Sequence, residues 1–154
     1  RVQVINAALN CRVCLGKGSQ HECMAYSILN QLQCISKFAV EAYAVTGQFM
    51  HNGKHVQVSR HAWDVVTAPP LRIVMEVQGE QHTQKHDTRT NNADADLVDR
   101  MNRDHALAAA AVDAGFYVVW LVPGSERGRQ QRWRNLIQQA VADQLQNKPP
   151  KLYE

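Results

Sequence analysis

The stretch from Trp63 to His82 constrains this chain more than any other. It holds Trp63-Asp64-Val65-Val66, a bend at Pro69-Pro70, and then Leu71-Arg72-Ile73-Val74-Met75-Glu76-Val77-Gln78-Gly79-Glu80-Gln81-His82. Two β-branched apolar runs joined by a Pro-Pro turn read as neighbouring strands. Each run carries one carboxylate, Asp64 or Glu76, where an apolar side chain would fit the pattern. An unpaired acid in a buried strand is costly, so one that persists has a partner or a metal. Two acids on adjacent strands make a hard-cation site of the kind that takes Mg²⁺. Gln78 stands two residues after Glu76 and so shares its face of the strand, which brings acids and amide toward one spot.

The chain has 154 residues, enough for one domain with a proper core, and no repeat or linker divides it. Its net charge of +3, with seven histidines besides, is compatible with a polyanionic partner without being diagnostic of one. No apolar run approaches membrane-spanning length, so no membrane partner is expected. No charged-then-apolar leader opens the chain, and four cysteines in this length do not demand disulfides; the expected location is intracellular. The first residue is Arg1, which reads as a piece of a longer protein.

Cys11, Cys14, His21 and Cys23 open the chain with the donor types of a tetrahedral zinc site. The gap between the second and third ligands is short for a zinc finger, and reduced, buried thiols beside a helix start are the plainer reading. Residues 1–18 are thus an N-terminal extension, with a zinc knuckle as the alternative reading. Ser19-Gln20-His21-Glu22 has the form of a capping box, and Met24, Ile28, Leu32 and Ile35 give a helical stripe; a helix is expected over about 20–34. Strands are expected over 37–46, 55–67 and 71–77, with Asn52-Gly53 as a hairpin turn. Residues 81–92 form a polar loop holding His82, Lys85, His86 and Arg89. A helix follows over 94–114, with Leu97, Met101, Leu107 and Val112 inward and Gly115 as its C-cap. Phe116-Tyr117-Val118-Val119-Trp120-Leu121-Val122 is a central strand covered on both faces, and the helix before it permits a parallel neighbour. Arg127–Gln146 is a last helix with Trp133, Leu136, Ile137, Ala140, Val141 and Leu145 inward. Its basic start (Arg127, Arg129, Arg132, Arg134) reads as a solvated face or as a nucleic-acid contact.

The fold class is therefore α/β (α+β) in the order αβββαβ: a mixed central sheet flanked by helices, with a core over 19–122 and an extra C-terminal helix and tail over 123–154. This order resembles the PD-(D/E)xK, or restriction-endonuclease-like, superfamily, and within it the very-short-patch repair endonucleases and related single-domain nucleases. Glu76-Val77-Gln78-Gly79-Glu80-Gln81-His82 is similar to that branch's third-strand motif, Glu-x-(Asp/Gln)-Gly-x-Gln-His. Met101-Asn102-Arg103-Asp104, leading to Gly115-Phe116-Tyr117-Val118-Val119-Trp120, looks like its second helix and fourth strand.

The resemblance implies metal-dependent phosphodiester hydrolysis, with nucleic acid, DNA in the first instance, as the partner, by a monomer or a homodimer. Asp64, Glu76 and the Val77 carbonyl would hold Mg²⁺ (or Mn²⁺), with Glu22 joining the site from the first helix. Gln78 stands where many relatives have Lys, so it can orient water but brings no charge. His82, Lys85, Arg89 and Arg103 are the candidate nucleic-acid contacts, and His82, Lys85 or Arg103 the candidate replacement cation. A nucleic-acid-binding domain of the same fold that does not cleave is the alternative. A zinc-stabilised interaction domain would account for the cysteines but leave the buried acids unexplained.

Overall fold

The computed structural model describes residues 20–32, 36–37, 45–67, 70–78 and 93–154. Among these the chain runs α1 (Gln20–Gln31), β1 (Ser36–Lys37), β2 (Gln48–His51), β3 (Lys54–Gln57), a 3₁₀ turn (Val58–Arg60), β4 (Val65–Thr67) and β5 (Ile73–Val77). It continues with α2 (Ala93–Asp113), β6 (Tyr117–Leu121), α3 (Arg129–Leu145) and β7 (Leu152–Tyr153). The main sheet has the order β1-β4-β5-β6-β7, and β2-β3 is a separate hairpin. The β1–β4 and β4–β5 pairs are antiparallel, whereas β5–β6 and β6–β7 are parallel. The sheet is therefore mixed, as the strand–helix–strand pattern requires: α2 and α3 are the crossovers that allow parallel neighbours.

All five residues of β6 are buried, which explains its nearly unbroken apolar sequence. Their alternation feeds two cores. Tyr117, Val119 and Leu121 pack with Ile73 and Met75 of β5 against Ile28 and Leu29 of α1 and Trp133 and Ile137 of α3. Val118 and Trp120 pack with Val74, Val66, Val58 and Trp63 against Leu107, Ala108 and Ala111 of α2. The small side chains of α2 let it lie close to the sheet. Trp133 is buried but satisfied, since its Nε1 donates to the Val122 carbonyl at 2.9 Å.

Local rules explain where elements stop. The Gly115 N–H donates to Val112 O at 2.9 Å and the Phe116 N–H to Ala111 O at 3.0 Å, with Gly115 at φ 89°. This 5→2 and 6→1 pair is a Schellman cap on α2. Asn52 and Gly53 both take positive φ, as a type I′ hairpin turn needs. Asp99 of α2 holds that hairpin, accepting from Asn52 Nδ2 at 2.9 Å and lying 3.2 Å from His51 Nε2.

The structure departs from the sequence reading in four places. The expected strand over 55–67 is broken, because the 3₁₀ turn ends β3 and only Val65–Thr67 joins the main sheet. Asp64 consequently lies one residue before β4, not within a strand. Leu145 and Met101, expected inward, are 72% and 43% exposed. The unexpected β7 is clipped to α3, with Tyr153 Oη donating to Asp143 Oδ2 at 2.8 Å. That bond holds the Asp143 carboxyl below its ordinary range, while burial first and the same bond second push the Tyr153 hydroxyl up. Of the expected strand over 37–46, residues 38–44 lie outside the described residues, as do Ser19 of the capping box, Ile35 and the loop over 79–92. Among the described residues no helix is long and apolar enough to cross a membrane.

Candidate active site

The candidate site forms where the last residues of β5 run past the start of β4. Val65 pairs with Met75, so one further step of the register sets Asp64 across from Glu76. Asp64 is fixed at both ends. Its Oδ2 accepts from the Val77 N–H at 2.8 Å, and its main-chain carbonyl accepts from Tyr26 Oη of α1 at 2.8 Å. Glu76 is held from the loop before β4, where His61 Nε2 lies 3.3 Å from Glu76 Oε2. The His61 ring stands edge-on to Trp63 at 4.9 Å between centroids, so the imidazole is seated on a buried indole.

The ladder leaves one backbone group facing this corner. The Gln78 N–H donates to Leu121 O at 3.1 Å, which puts the even-numbered residues of β5 in register with β6. Odd-numbered residues therefore turn N–H and C=O toward β4. Thr67 Oγ1 takes up those of Ile73, and Asp64 takes the N–H of Val77. The Val77 carbonyl faces the same side, beyond the end of β4.

The electrostatics of this corner are strained. Burial pushes the Asp64 carboxyl up from its ordinary 3.8 to about 7. The Glu76 charge pushes it the same way and Glu22 adds to it, while the Val77 N–H and His61 pull it down by less. Two acids from two other segments, Glu76 and Glu22, are thus close enough to be felt at Asp64, opposed by one backbone N–H and one imidazole. Like-charged carboxylates that cannot all ionise comfortably are the environment a divalent cation relieves. Among the described residues no group of three or more His, Cys, Asp and Glu side chains is drawn together to hold a metal ion. A Mg²⁺ site does not need three, because one or two carboxylates with water and phosphate oxygens complete it. Asp64, Glu76 and the Val77 carbonyl fit that donor set.

Gln78 is brought near but not into the acid pair. It is 6% exposed and lines a cleft of about 180 Å³ with Trp120 and Val122 of the sheet side and Met101, Asp104 and His105 of α2. No hydrogen bond joins its amide to either carboxylate among the described residues. His105, itself exposed, stands edge-on to Trp120 at 4.8 Å in the lining of this cleft. Gln78 thus lines this cleft two residues beyond Glu76, and its N–H continues the ladder to β6.

The remaining predicted residues fall elsewhere. Arg103 is exposed on α2, where its charge acts on Asp99 and is not among those felt at Asp64. His82, Lys85 and Arg89 lie outside the described residues, as do Cys11 and Cys14. His21 and Cys23 both lie in α1, and residues two apart on a helix do not share a face. His21 Nε2 is engaged by Arg129 at 3.1 Å. Sequence reasoning missed two residues that build the site, His61 and Tyr26. No spacing rule marks them, because His61 reaches Glu76 through an irregular loop and Tyr26 reaches Asp64 across the layer between helix and sheet.

Comparison of the chain with protein-family models, with curated proteins and with solved structures finds no match.

Proposed function

We propose that this domain hydrolyses phosphodiester bonds in nucleic acid, DNA in the first instance, with Mg²⁺ (or Mn²⁺) held by Asp64, Glu76 and the Val77 carbonyl. The observation that carries the reading is the buried corner in which Asp64 is forced up to about 7 by desolvation and by Glu76. When bound, the cation polarises the scissile phosphate and lowers the pKa of the attacking water. The protein's part is positioning. The Val77 N–H and Tyr26 Oη fix Asp64 from both ends, and His61 fixes Glu76. Glu22 adds negative charge that favours cation capture. The likeness of residues 76–82 to the third-strand motif of the very-short-patch repair endonuclease branch supports the same reaction.

The second reading, a nucleic-acid-binding domain that does not cleave, is favoured by Gln78. It brings no positive charge to the attacked phosphate, and its side chain lies in the cleft against α2. Cleavage separates the two. Duplex, single-stranded and branched DNA and RNA are incubated with Mg²⁺, Mn²⁺ or EDTA. Wild type is expected to cut at least one substrate with metal, and Glu76→Ala to lose at least about 10²-fold in rate, the scale of an essential electrostatic group. Binding without cutting on every substrate and with both metals would leave only the second reading.

A further inference from the structure

The most concentrated charge on this molecule is not at the acid site. Residues 127–142 contain Arg127, Arg129, Arg132 and Arg134 and no Asp or Glu, while the rest of the chain has thirteen basic residues against fourteen acidic. The loop also holds Glu126, so the loop and the first turns of the helix together carry +3, equal to the net charge of the whole chain.

These arginines are organised by carbonyl groups. Arg132 donates to the carbonyls of Arg127 at 2.9 Å, Pro123 at 3.0 Å and Ser125 at 2.9 Å. Arg129 donates to Pro123 O at 2.7 Å and Gly124 O at 3.1 Å, and Arg134 donates to Gln31 Oε1 of α1. Gly124, at φ 54°, lets the loop close over Arg132, since a Cβ there would come within 3.2 Å of its guanidinium. Carbonyls orient a guanidinium without cancelling its charge. Among the described residues none of the four arginines is paired with a carboxylate, and the Arg127 guanidinium makes no internal bond. The face is a set of fixed cations with one free cation beside them.

The surroundings select the partner. The outward side chains of this part of α3 are Gln130, Gln131, Asn135, Gln138 and Gln139, amides with no apolar group among them. Such a surface suits the charged and hydrogen-bonding backbone of nucleic acid, and its one exposed apolar side chain, Val122, is far short of the apolar face a lipid surface needs. The position also fits. The loop begins directly after Leu121, whose carbonyl holds Gln78, and Arg129 reaches His21, the neighbour of Glu22.

We propose that the β6–α3 loop and the first turns of α3 grip the sugar–phosphate backbone of a nucleic acid and lead it to the Asp64–Glu76 corner. The path toward the acids rests on the nuclease reading; the grip itself needs neither metal nor cleavage. The test is therefore made in EDTA. Fluorescence anisotropy of labelled duplex and single-stranded oligonucleotides is followed against salt for wild type, Arg127→Gln, Arg127→Gln/Arg132→Gln and Lys151→Gln. Each lost arginine is expected to lower the slope of log K against log salt by about 0.7–0.9 and to weaken binding about five- to tenfold near 0.1 M salt. Lys151 lies beside Val118, at the far end of β6, and its loss should leave the slope unchanged. Because Arg127 braces nothing, its single variant reads the proposal even where the double variant does not fold. An unchanged slope and affinity in Arg127→Gln overturns the proposal, as does binding to anionic phospholipid vesicles with none to either oligonucleotide. A reduced slope together with no cleavage under any metal upholds this grip and defeats the nuclease reading alone.

Discussion

Asp64 is the residue on which the site turns, and its cost is measurable. Its carboxyl titrates near 3.8 when free and near 7 in the folded chain, driven by burial and then by Glu76. Between those values the folded state holds a proton that the unfolded state has released. Without divalent cations, stability should therefore fall as pH rises from about 4 through 7. Asp64→Asn removes the charge and keeps an oxygen for the Val77 N–H. In EDTA at pH 8 this variant is expected to be more stable than wild type by about 1–3 kcal/mol, the range a shift of this size gives once partial solvation is allowed for. The gain should shrink to a small remainder near pH 4, where folded Asp64 is protonated and the unfolded carboxyl is close to its own midpoint of 3.8. Urea denaturation at the two pH values checks it; equal stability at pH 8 would mean that Asp64 carries no unrelieved charge. The acids were legible as residues, because carboxylates inside β-branched runs stand out. His61 was not, since no pattern predicts which loop histidine will fold back onto Glu76.

At the scale of elements, what was legible had local causes. The unbroken apolar run of β6, the Ala-rich face of α2 and the Asn52-Gly53 turn each state their structure within a few residues. Gly115 is the clearest case and gives a direct test. At φ 89° a side chain is strained, and a Cβ would meet the Arg72 guanidinium at 3.3 Å, which itself donates to Ala114 O at 2.7 Å and covers the Phe116 ring at 4.7 Å. Gly115→Ala is expected to cost about 1–2 kcal/mol and lower Tm by about 2–6 °C, measured by thermal denaturation, with the sheet retained. What was not legible depends on tertiary contact. Residues 55–67 look like one strand because apolar side chains recur through them. Val58 is buried on the α2 side within a 3₁₀ turn, and the hairpin before it is held by Asp99 of α2. Two residues of β7 carry too little pattern to be seen, and their strand exists because Asp143, 10 residues earlier, receives Tyr153. The expected inward place of Leu145 fails for a related reason: in the last turn of α3 it is Asp143 that is buried and receives Tyr153, and Leu145 ends the helix exposed.

At the scale of the whole molecule, the site is a product of folding. Glu22, Asp64 and Glu76 come from a helix, an irregular loop and a strand, and only the assembled layers bring their charges within reach of one another. An unfolded chain has no such constellation, so a cation that binds the corner must stabilise the fold. For a Kd near 1 mM, about 10 mM MgCl₂ adds roughly 1.4 kcal/mol, which raises Tm by about 3–5 °C for a chain of this size. The sign of the pH dependence follows from Asp64. Cation and proton compete for the same carboxylate, so the Mg²⁺-induced rise should be larger at pH 8 than at pH 6, opposite to the trend of the protein in EDTA. Glu76→Ala should abolish the rise. Asp64→Asn should abolish it too while starting from a higher Tm at pH 8, because the substitution relieves by removing charge what the cation relieves by neutralising it. Thermal denaturation of the three proteins at both pH values, with and without Mg²⁺, tests this without any nucleic acid present. A rise of the same size in all three would place the Mg²⁺ effect outside the corner and remove the metal from the proposed reaction.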